Sequence, residues 1–85
     1  MKGINRFFRP GRLVTVSANH RETGASVLAQ PDTPPRPPGW KPDWQLPPGM
    51  LALVLALRLV GDRTWVLIVY DSRVGWAPAL HLVPA

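Results

Sequence analysis

Between Met50 and Tyr70 the chain is apolar at nearly every position, broken only by Arg58 and the tetrapeptide Gly61-Asp62-Arg63-Thr64. Leucine holds every odd position from Leu51 to Leu59, with Ala52, Val54 and Ala56 between them. Taken singly, leucine and alanine favour helix. The run is short, however, and is bounded by Pro47-Pro48-Gly49 and Gly61-Asp62. Its period is two, which predicts a strand. Trp65-Val66-Leu67-Ile68-Val69-Tyr70 is almost wholly β-branched or aromatic and predicts a second strand, reached through a hairpin turn over residues 61–64. Asp71-Ser72-Arg73 predicts another tight turn. Val74-Gly75-Trp76-Ala77 predicts a third strand, which Pro78 ends. A meander of three strands has open edges, and pairing with an N-terminal strand would close them.

That N-terminal strand is expected over Arg12 to Ala18, where Leu13, Thr15 and Ser17 alternate with Val14, Val16 and Ala18. A polar turn follows over residues 19–24, and Ala25 to Gln30 predicts a second, weaker strand. Eight of the eleven prolines then fall between Pro31 and Pro48. Proline fixes φ and removes a donor, which excludes helix and central strand from this stretch. Residues 34–38 predict a short polyproline II segment. Trp40 and Trp44 are expected in irregular chain, with their rings buried on the body of the protein or on a partner. A loop of this length is uncommon unless it is functional or docked.

The composition limits what such a chain can be. Eighty-five residues, 46% of them hydrophobic, make one small domain. Without a basic arm over residues 1–12 and the Pro-rich stretch, roughly 55 residues remain for a core, near the lower limit for independent folding. There is no cysteine to staple it or to ligate zinc. The net charge is +5, and Lys2, Arg6, Arg9 and Arg12 lie in the first twelve residues with no acidic residue among them. Such an arm suits nucleic acid, an anionic membrane or an acidic protein surface, and equally a solvated tail. Phe7 and Phe8 beside these arginines fit an anchor on a neighbour, and equally a cover over the domain's own open end. The apolar stretch after the basic start is too short for a secretion signal, and the run from Met50 falls far short of the ~20 residues that span a bilayer. A soluble protein is expected, cytoplasmic or held within a virion or complex.

The order of a strand, a long loop, Pro47-Pro48-Gly49-Met50 leading into the leucine run, a tight turn, the strand to Tyr70, a tight turn and Val74 to Val83 resembles SH3-like domains. It is nearest to the bacterial SH3 type, where a Gly-Trp-x-Pro step, here Gly75-Trp76-Ala77-Pro78, precedes the last turn. The resemblance covers residues 12–83, and its specific part is Trp65 to Val83. It implies an all-β fold: a small SH3-like barrel over residues 13–85 with a Pro- and Trp-rich loop at 31–48. It also implies a candidate peptide groove at Trp65 and Pro78, with His81 where the family has tyrosine. The ring-rich motif of peptide-binding members is missing, because Val14 to Asn19 carries no aromatic residue. Residues 34–38 would themselves suit an aromatic-lined groove, in cis or on a neighbouring copy.

Catalytic chemistry is not expected. His20 and His81 lie on different elements without a carboxylate at helpful spacing, and the glycines form no phosphate cradle. No metal or cofactor is implied. The residues expect a non-enzymatic interaction module, a small structural or adaptor subunit of a larger assembly such as a phage virion or a bacterial complex. The partner-binding candidates are Arg6, Phe7, Phe8, Arg9, Arg36, Trp40 and Trp44. The alternatives are a free module for proline-rich or cell-wall peptides, and a basic nucleic-acid-binding barrel.

Overall fold

The computed structural model describes residues 8–31 and 38–85. Arg6, Phe7 and Arg36 therefore lie outside the described residues, as do four of the five residues of the expected polyproline segment. The described chain is all-β. Seven strands, β1 (Leu13–Val16), β2 (Ala25–Val27), β3 (Trp44–Leu46), β4 (Ala52–Val60), β5 (Arg63–Tyr70), β6 (Arg73–Pro78) and β7 (Leu82–Pro84), are joined by turns and two single 3₁₀ turns, Ala18–His20 and Ala79–His81.

The meander β4-β5-β6 forms as the apolar runs require. β1 pairs with β4 on one side and β7 on the other, so one sheet runs β6-β5-β4-β1-β7, with every neighbouring pair antiparallel. The hairpin turns are tight two-residue loops. At the second, Asp71 and Ser72 both take positive φ (51° and 66°), as the type I′ turn that suits strand twist demands. Before β4, Pro47-Pro48-Gly49-Met50 forms a type II turn: Gly49 has φ +84°, and the Met50 N–H donates to Pro47 O at 3.2 Å.

β2 and β3 form a separate antiparallel ribbon lying over the inner face of the sheet. One bridge ties it to β6: Leu28 N–H donates to Trp76 O (2.8 Å), and Trp76 N–H to Leu28 O (2.7 Å). The ribbon can approach this closely because residue 75 is glycine. A Cβ there would stand 2.5 Å from Val27 Cγ1 and 3.2 Å from Trp44 Nε1. Between sheet and ribbon lies the core, with Val14 and Val16 of β1, Ala52 and Val54 of β4, and Val66 and Ile68 of β5 meeting Val27 and Leu46 of the ribbon.

Three expectations need correction. Trp44 is not in irregular chain, because it opens β3. Between Pro42 and Pro47 four residues keep their N–H groups, enough for a short strand in a two-stranded ribbon. The first strand stops at Val16 rather than Ala18: the Ser17 N–H still donates to His81 O (2.8 Å) in the β1–β7 register, but the Ser17 carbonyl accepts from the His20 N–H (3.0 Å) as the chain enters the 3₁₀ turn. The folded body also begins before residue 13. Phe8 is buried in the core, the Gly11 N–H donates to Val54 O, and the Val54 N–H donates to Arg12 O, both at 2.8 Å. Of the two roles open to Phe8, covering its own domain is the one the structure shows.

Candidate docking face

Strand alternation sends Ala52 and Val54 of β4 into the core and turns Leu51 and Leu53 outward. The larger side chains of the central strand are thus on the outside. The neighbouring strands do the same in register. Leu13 of β1 lies opposite Leu53, Leu53 opposite Val69 of β5, and Val69 opposite Val74 of β6. These four residues form one aliphatic row across four strands, with directly opposed side chains about 5 Å apart. Leu51 and Thr15 flank the row, and Val83 of β7 lies opposite Thr15. Leu55 is the extra residue where the β4–β5 register shifts between Val54 and Ala56, and it too stays in solvent. Leu13, Leu51, Leu53, Leu55, Val74 and Val83 are 37–53% exposed.

No charged residue stands in the row itself; Arg58, opposite Trp65, is the exposed charge farther along the same side of the β4–β5 hairpin. The hydroxyl beside the row, Thr15 Oγ1, is already spent donating to Met50 O at 2.8 Å. A strand that is apolar on both faces is normally covered on both. Here the ribbon covers one, and along the row nothing described covers the other. The exposed aliphatic surface is on the order of 500 Å², at the upper end of what a free monomer carries.

The expected peptide groove is placed differently. Trp65 is fully buried (0% exposed), and its sealed Nε1–H finds no acceptor among the described residues. Pro78, paired with it, is buried as well. Neither offers a face to a peptide, because the end of β5 on which Trp65 lies is closed over. The pocket beside them, lined by Asp62, Arg63, Thr64, Pro78, Ala79 and Leu80, holds about 250 Å³, small for a ligand site. His81 is occupied in holding elements together. Its Nδ1 accepts from the Ser26 N–H (3.2 Å), and its ring lies 4.0 Å from that of His20, which in turn bonds Ser17 Oγ through Nδ1 (3.0 Å). Trp65, Pro78 and His81 suit a groove by type; the fold buries the first two and ties His81 to the Ser26 amide.

Among the partner-binding candidates, Arg9 is exposed. Trp44 is partly buried against the core and stacks on Tyr70 (centroids 6.5 Å apart, planes 19° apart). Trp40 is half-buried above an open cleft with Leu28, Pro31, Lys41 and Asp43. The two tryptophans lie away from the leucine row. The row itself went unmarked, although Leu-Ala-Leu-Val-Leu-Ala-Leu is apolar at both phases of a two-residue period and so called for cover on both sides.

No family model, curated protein or solved structure matches this chain. Among the described residues no helix is long and apolar enough to cross a membrane.

Proposed function

We propose that this chain is a non-enzymatic SH3-like barrel that serves as a small structural or adaptor subunit of a larger assembly. The observation that carries the reading is the uncharged aliphatic row Leu13–Leu53–Val69–Val74 on the open face of the sheet. The order of elements supports the SH3-like part: a meander whose last strand ends at a proline, one 3₁₀ turn, and a final strand returning to β1. Docking would also supply stability that so small a core lacks. The burial of Trp65 and Pro78 favours this reading over a free peptide-binding module.

The test is to express the tagged chain in its native cells and fractionate a gentle lysate by size. The wild-type chain is expected in a fraction well above 9.4 kDa, and Leu53→Glu in the low-mass fraction. If the wild type travels as a free monomer and the substitution changes nothing, the subunit reading is wrong.

A further inference from the structure

We infer that the outer face of the sheet docks against the same face of a second copy, forming an isologous dimer. This rests on the docking-face reading above and names its partner.

Area, chemistry and symmetry agree. A standard interface buries about 800 Å² per partner, and a homodimer interface is about 65% apolar, so each copy must supply ~500 Å² of apolar surface. Most of that comes from the exposed leucines of β1 and β4 and Val74 of β6. The chemistry favours a copy over a different protein. Transient hetero-interfaces are more polar and select their partners through paired charges and hydrogen bonds. Here no charge stands in the row, and the lone hydroxyl is satisfied within the chain. The row asks only for another aliphatic surface, and a second copy presents one.

The order of side chains along the row is self-complementary. A two-fold axis parallel to the strands, passing between β4 and β5, sets Leu53 on Val69 of the second copy and Leu13 on Val74 of the second copy. Each leucine thus meets a smaller valine, the large-to-small pairing that lets two sheets interdigitate at about 10 Å. Contact is reciprocal, as an isologous interface requires.

The experiment is sedimentation velocity on the purified full chain across a concentration series, with circular dichroism to report folding. The wild type is expected at twice the mass of the 9.4 kDa chain. Leu53→Glu, at the centre of the row, is expected to weaken association by about 30-fold or more. Leu80→Glu, which alters a residue that is 76% exposed and off the face, is expected to leave the dimer intact. Added salt should tighten association slightly, because it screens the repulsion between two chains of +5. If Leu53→Glu fails to fold, Val74→Lys, at the exposed end of the row, takes its place.

A wild type that stays monomeric at high concentration overturns the dimer, as does a dimer indifferent to both face substitutions. The docking-face reading falls separately, only if Leu53→Glu also leaves the native high-mass fraction unchanged.

Discussion

Gly75→Ala adds one methyl group at the seam between sheet and ribbon, and the structure shows what it would strike. The new Cβ would stand 2.5 Å from Val27 Cγ1, 3.0 Å from Leu28 O and 3.2 Å from Trp44 Nε1. Val27 is fully buried and, being β-branched, is stiff at χ1. The Leu28 carbonyl is held in the one bridge between ribbon and β6 among the described residues. The ribbon must therefore lift by about 1 Å, and overpacking of this kind costs ~1–3 kcal/mol. Stretching the paired Leu28–Trp76 hydrogen bonds adds up to ~1 kcal/mol. Against this, alanine gains about 0.5–1 kcal/mol over glycine within a strand. The net loss is about 2 kcal/mol, a large share of the ~4–13 kcal/mol expected of a chain this size. Urea unfolding should show a lower midpoint at unchanged slope, and the melting temperature should fall by roughly 8–16 °C. In a Val27→Ala background, which deletes the nearest struck atom, the same substitution should cost at least ~0.5 kcal/mol less. A neutral or stabilising Gly75→Ala would refute the close approach of the ribbon.

Two further substitutions probe the elements that frame the face. Ser72→Gly places glycine where φ is +66° in the β5–β6 turn, and it should stabilise by up to ~1 kcal/mol in thermal melts. Asp43→Ala removes the carboxylate whose Oδ2 accepts from the Ala29 N–H at 2.7 Å, where the chain leaves β2. It should cost about 1 kcal/mol, and faster amide exchange at Ala29 would locate the loss.

How much was legible without the structure can be followed residue by residue. β4, β5 and the turns between strands follow from local chemistry. Period-two leucine, a run of β-branched and aromatic residues, and Gly-Asp and Asp-Ser at the breaks leave few alternatives. The closing of the meander by β1 was also readable, because open edges need partners. β3 was hidden by the prolines on either side of it. Its strand character comes from pairing with β2, a contact that no property of residues 44–46 announces.

Local residue chemistry alone dictates an all-β chain, the positions of its hairpins, and a central strand apolar on both sides. Which of those sides faces inward is settled by packing. Periodicity separates two faces of a strand without ranking them, and leucine is no less apolar than the alanine and valine that won. The ribbon made the choice. It packs closely over the inner face, where Gly75 on β6 leaves no room for a Cβ and Ala52 and Val54 on β4 fill the core, and Leu51, Leu53 and Leu55 are left outward. The same closure buried Trp65 and committed His81 to the Ser26 amide, which occupies two residues whose types pointed to a groove. Side-chain type can nominate a site, but which groups remain exposed depends on packing among residues distant in sequence.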